Sequence, residues 1–206
     1  EQVKVDIGYS HANVKVIGVS GGVSYGALGS THHATQDIAL MRAMPGLEIF
    51  LPADGPQMVA LTRYLATSNE PAYVRVGRGE VPVVYAGEVP FTPGRANQLR
   101  QGGDAAIIAC GEMVSRALDA ADLLATQGIH ASVYDMHTLR PLDEDAILQA
   151  ADTGLVVTVE EHDIHVGLGG AVAEVLSQRK PTAMRILGLP DEKLFTGTST
   201  EVFAHY

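Results

Sequence analysis

Short apolar, β-branched runs alternate with longer stretches rich in Ala and Leu, a spacing that predicts an α/β chain with helices covering a mainly parallel sheet. Residues 14–19 and 47–51 read as strands, joined by a helix over 35–44 that Pro45 and Gly46 stop. A second helix follows, with Asp54 placed to cap it, Pro56 in its first turn, and Met58, Leu61 and Leu65 at helical spacing before Asn69 and Pro71. Residues 72–76 make the next strand. From Gly79 to Gly103 the periodicity fades: Pro82, Pro90, Pro93 and five glycines fall there, as in a linker. The alternation restarts with strands over 105–109, 131–135, 154–159 and 183–186, separated by helices over 113–126, 144–150 and 169–178. The expected organisation is two parallel-sheet-dominated α/β domains, 1–79 and 104–206, with a linker over 80–103. Residues 1–9 read as the tail of a helix whose start lies upstream, so the first domain is expected to be incomplete.

Composition narrows the function classes. Of 206 residues, 46% are hydrophobic, enough for packed cores and too many for a disordered chain. A formal charge of −10 with no Lys/Arg-rich stretch argues against nucleic-acid binding. No apolar run approaches the roughly 20 residues a membrane-spanning helix needs. Cys110 is the single cysteine, which leaves no internal disulfide or multi-thiolate metal site and fits a reducing cytoplasm.

Three places carry candidate chemistry. Gly21, Gly22, Gly26 and Gly29 crowd the loop after the first strand, and Ser30-Thr31-His32-His33 leads from it toward a helix. Such a loop lets backbone approach a ligand, and a histidine at its edge can serve as acid, base or donor. The plainer reading has Thr31 capping the helix and both histidines in solvent. Arg75 and Arg78 sit at the end of a strand, where parallel sheets gather ligands, and either could grip a phosphate or carboxylate or make a surface ion pair. Glu160-Glu161-His162, with His165 and a glycine-rich turn beyond, could bind a metal or form an acid/base pair. Adjacent strand positions point to opposite faces, which favours a structural or interfacial role instead.

The text also resembles a known family. Gly21-Gly22-Val23-Ser24-Tyr25-Gly26, then Gly29-Ser30-Thr31-His32-His33 through Arg42, Pro45-Gly46, Pro52-Ala53-Asp54 and Pro71-Ala72-Tyr73-Val74-Arg75-Val76-Gly77-Arg78-Gly79, resemble the pyrimidine-binding domain of transketolases. Thr138-Leu139-Arg140-Pro141-Leu142-Asp143, Glu160-Glu161-His162 and Gly167-Leu168-Gly169-Gly170 resemble that family's C-terminal domain. The resemblance covers nearly the whole chain and is nearest to the C-terminal subunit of split bacterial transketolases. It implies transfer of a two-carbon ketol unit from a ketose phosphate to an aldose phosphate, with thiamine diphosphate and Mg (or Ca) in the complete enzyme. By motif match it implies that His32 reaches the substrate oxygen, with Arg78 on the sugar phosphate and His33 also on the substrate side. The family's pyrimidine-binding glutamate and aromatics would lie upstream of Glu1, and no metal ligand is assigned here, so the chain alone is expected to bind no cofactor and to be inactive without an N-terminal half or subunit. Leu28 stands where many relatives carry an acidic residue that reads a sugar hydroxyl, and Ser20 near one of their histidines, which points to a different sugar. A homodimer or larger homo-oligomer is implied as well. The competing expectations are a 1-deoxyxylulose-5-phosphate synthase, a 2-oxoacid dehydrogenase beta subunit, and a non-catalytic dimerisation module.

Overall fold

The computed structural model describes residues 1–206 as two sheets sharing one core. In the first, β1 (Lys15–Val19), β2 (Glu48–Phe50) and β3 (Ala72–Val76) run parallel in the order β1, β3, β2. Asp54 caps α2 (Gly55–Thr67) by accepting the Gln57 N–H at 2.8 Å, and Leu61 and Leu65 bury against Phe50 and Val74. The helix α1 (Asp37–Arg42) is shorter than the periodicity predicts, and the chain ahead of it runs as loop. At the start, Val3–Tyr9 forms a wide helical turn.

The stretch expected to be a linker is tied down. Asp54 accepts the N–H groups of Val84 and Tyr85, each at 2.8 Å, and buried Tyr85 donates to the fully buried carboxylate of Asp135 at 2.6 Å. Gln57 donates to the same oxygen at 2.6 Å. The stretch then forms β4 (Asn97–Arg100), an antiparallel edge strand whose polar run carries no apolar alternation to announce it.

The second sheet has the order β4, β6 (Ala131–Asp135), β5 (Ala105–Ala109), β8 (Leu155–Asp163), β9 (Ala183–Leu189), parallel apart from β4. It is covered by α3 (Met113–Thr126), α4 (Glu144–Ala150) and α5 (Leu168–Arg179). One unexpected strand, β7 (Thr138–Arg140), leaves this unit to pair antiparallel with β2, and a cluster of 20 buried residues runs continuously from Ile49 and Tyr73 to Ile108, Met136 and Leu168. A last helix, α6 (Ser199–His205), starts on a reciprocal Thr198/Glu201 cap. No helix is long and apolar enough to cross a membrane.

Burial pushes Asp135 from its ordinary 3.8 up to about 7. The folded protein therefore holds a proton there that the unfolded chain has lost, and stability falls as pH rises between those values. Asp135→Asn keeps the neutral state at every pH. Relative to wild type, the variant is expected to gain on the order of 2–3 kcal/mol between pH 5 and pH 8, at about 1.4 kcal/mol per pH unit below 7. Urea melts at both pH values check this; a constant difference would mean that the carboxylate is already ionised in the fold.

Candidate active site

Strand β1 feeds the glycine-rich loop, and contacts from far along the chain hold it. At Gly22 (φ +61°) an added Cβ would collide with the Glu161 carboxyl group, and at Gly26 it would collide with the Gly197 carbonyl oxygen. Ser30 donates to the Leu194 carbonyl at 2.9 Å and Ser199 to that of Val23 at 3.0 Å, while Val23 packs with Leu189, Leu194 and Val202. The loop is clamped between the end of β8 and the segment that opens α6.

That clamp presents Tyr25, which gathers two of the candidate residues. The Arg78 guanidinium carbon lies 4.1 Å from the Tyr25 ring centroid, and the His32 ring meets Tyr25 edge-on at 6.0 Å. His32 is exposed, and its Nδ1 shares a hydrogen bond with the Thr31 hydroxyl at 3.0 Å, which leaves Nε2 free. Thr31 therefore orients His32 and does not cap a helix. Arg78 is exposed and takes part in no ion pair. Its fork of donors is open to an anion. In His33 both ring nitrogens are enclosed and have no hydrogen-bond partner.

Arg75, which the sequence allows as an anion grip or a surface pair, is neither. It is 7% exposed, donates to the Glu161 carbonyl at 2.5 Å and lies 3.6 Å from Asp37, whose other contact is the Tyr73 hydroxyl at 2.7 Å. The crevice at these strand ends, lined by Gly21, Arg75, Cys110, Glu112 and Glu161, has a volume of about 20 Å³. That is room for a single water and not for a substrate. An open cleft of about 360 Å³ lies alongside, lined by Ser24 and Gly79, the chain neighbours of Tyr25 and Arg78, together with Glu112, Arg116, Ser199 and Phe203.

Glu160, Glu161 and His162 do not converge on a ligand. Glu160 accepts the N–H groups of Leu168 and Gly169, both at 2.7 Å, and so anchors the start of α5. Glu161 accepts the Val23 N–H at 2.6 Å, bracing the glycine-rich loop. Burial raises both acids to about 7. His162 reaches the Asp163 carbonyl through Nδ1 at 2.7 Å and accepts the Ala39 N–H through Nε2 at 3.3 Å, which ties β8 to α1. Desolvation holds its pKa down and keeps it neutral in this role. No group of three or more His, Cys, Asp or Glu side chains is placed to hold a metal ion. Sequence reasoning passed over Tyr25; the signal was the one aromatic residue in a glycine-rich loop.

Comparisons with known proteins agree with this layout. A family model for the transketolase pyrimidine-binding domain matches residues 1–84, and one for the transketolase C-terminal domain matches 94–206. A protein of Phocaeicola vulgatus, named as one of the subunits of apulose-4-phosphate transketolase, is 51% identical over the whole chain, which spans 66% of that protein. A solved structure described as a split gene transketolase, inactive beta4 tetramer, is 37% identical with a TM-score of 0.92, covering 100% of this chain and 66% of its own. The chain thus spans 66% of the length of each of these two relatives. A 1-deoxy-D-xylulose-5-phosphate synthase of Heliobacterium modesticaldum is 39% identical over 96% of the chain, which is 31% of that enzyme.

Proposed function

This chain belongs to the transketolase family, and on that premise we propose that it is the sugar-binding side of a split transketolase, passing a two-carbon ketol unit from a ketose phosphate to an aldose phosphate. The observation that carries the reading is the rim in which His32, with a free Nε2, and Arg78, with unpaired donors, share contact with Tyr25 beside an open cleft.

Members of the family use thiamine diphosphate, which supplies carbanion stabilisation when bound. No group of three or more His, Cys, Asp or Glu side chains here is placed to hold its metal ion. That part of the centre, with Mg, is assigned to an N-terminal partner subunit. In this chain Arg78 takes the sugar phosphate through a bidentate, charge-assisted contact. His32 Nε2 exchanges a proton with the substrate oxygen nearest the bond being broken or made. The relative whose tetramer is described as inactive supports the need for a second kind of subunit, and supports self-association as well.

The protein carrying this sequence is expected to transfer glycolaldehyde only when mixed with an N-terminal transketolase subunit, thiamine diphosphate and Mg²⁺, followed by the aldose phosphate consumed. Transfer by this protein alone overturns the division of labour. Decarboxylation of pyruvate onto glyceraldehyde phosphate by the mixture overturns the reaction assignment.

A further inference from the structure

Tyr25 is half-buried yet belongs to none of the apolar clusters, so packing of the core does not account for it. Its ring instead contacts both working groups of the rim, Arg78 at 4.1 Å over the face and His32 at 6.0 Å with planes at 83°. A guanidinium held over an aromatic face keeps its N–H groups in its own plane, directed outward, where they match two oxygens of a tetrahedral anion. Arg78 has no carboxylate partner to order it, so the ring is the contact that fixes its direction. The loop beneath is itself fixed by Ser30, Ser199 and Val23, so Tyr25 is a stationary platform and not a mobile flap.

We infer that Tyr25 is a positioning residue for anion-tailed substrates: it pre-orders Arg78 for a phosphoryl group and fixes that end of the substrate at a set spacing from His32. The inference rests on the reading of the chain as a sugar-binding transketolase subunit. It adds the residue that couples anion recognition to proton transfer. Tyr25→Phe keeps the ring and is expected to behave as wild type, because the contact uses the face and not the hydroxyl. Tyr25→Leu removes the face while leaving a smaller apolar side chain.

The test has two arms. In the two-subunit assembly, Tyr25→Leu is expected to raise KM for the phosphorylated acceptor about three- to tenfold, with kcat changed less, and Tyr25→Phe to stay within about twofold of wild type. In the second arm the Arg78 Nε–H signal is followed by NMR during titration with inorganic phosphate. The wild type and Tyr25→Phe are expected to respond alike, and Tyr25→Leu to need several-fold more phosphate, with matched thermal melts showing the fold intact. Equal phosphate response and equal KM in Tyr25→Leu overturn the inference. If the wild-type assembly transfers no ketol unit while the phosphate response still depends on the ring, the anion-positioning role stands and the transketolase reading falls.

Discussion

Replacing Arg75 by leucine is expected to destabilise the protein by about 3–5 kcal/mol, because one partner is removed from a buried, hydrogen-bonded charge network. The guanidinium donates to the Glu161 carbonyl at 2.5 Å and faces Asp37 at 3.6 Å, with little of either side chain exposed. Its charge also favours the ionised forms of Glu112 and Glu161, which burial opposes. Without it those acids keep only the weaker compensation of Arg116, and Asp37, whose Oδ1 already lacks a partner, is left with the Tyr73 hydroxyl alone. A chain of this size should lose on the order of 10 °C in Tm, since each kcal/mol moves the midpoint about 2–4 °C. The exposed pair Arg179–Glu144 sets the contrast: truncating it should cost about 0–1 kcal/mol. Guanidinium melts of Arg75→Leu beside Arg179→Ala measure both, and equal losses would refute a special role for the buried arginine.

The second large effect concerns His32. In the assembled enzyme, His32→Ala is expected to lower kcat by about 10²- to 10⁴-fold, the usual contribution of a positioned acid–base group. KM for the phosphorylated sugar should move little, because Arg78 and Tyr25 keep their contact. Stability should hardly change, since His32 is exposed and its one hydrogen bond is to the neighbouring threonine. His32→Gln separates two possible tasks of Nε2. A glutamine that restores most of kcat would mean the histidine only donates a hydrogen bond; one that restores little would mean that it carries the proton. Unchanged kcat in His32→Ala would remove the residue from the reaction altogether.

Much of the fold is legible in the sequence because its central parallel strands are buried on both faces and leave apolar runs, as in residues 105–109. Strands β4 and β7 escape for the opposite reason. Asn97–Arg100 is a polar edge, and Thr138–Arg140 has only three residues whose partner β2 lies in the other half of the chain. The helix α6 buries Val202 alone, so its apolar pattern is faint although the Thr198 and Glu201 cap is written plainly at its start. Around the site, an imidazole beside a glycine-rich loop and a guanidinium at a strand end mark His32 and Arg78 as candidates, and only the family resemblance gives them roles. The separation of Arg75 from Arg78 is not visible, since it depends on Asp37 and Glu161 closing over one of two similar side chains. The parting of Glu160 from Glu161 follows from strand alternation alone, though their partners, the start of α5 and the Val23 amide, come only from the fold.

The clamp on the glycine-rich loop also has a temporal side. Val23 and Ser199 are joined across 176 positions of sequence. On a ribosome adding about 5–20 residues per second, the loop emerges roughly 10–35 seconds before the segment that braces it. Through that interval Val23 has neither its apolar neighbours nor its partner hydroxyl, so the nascent protein carries His32 on an unsupported loop. The rim of Tyr25, His32 and Arg78 is thus among the last parts of the fold to gain its supports.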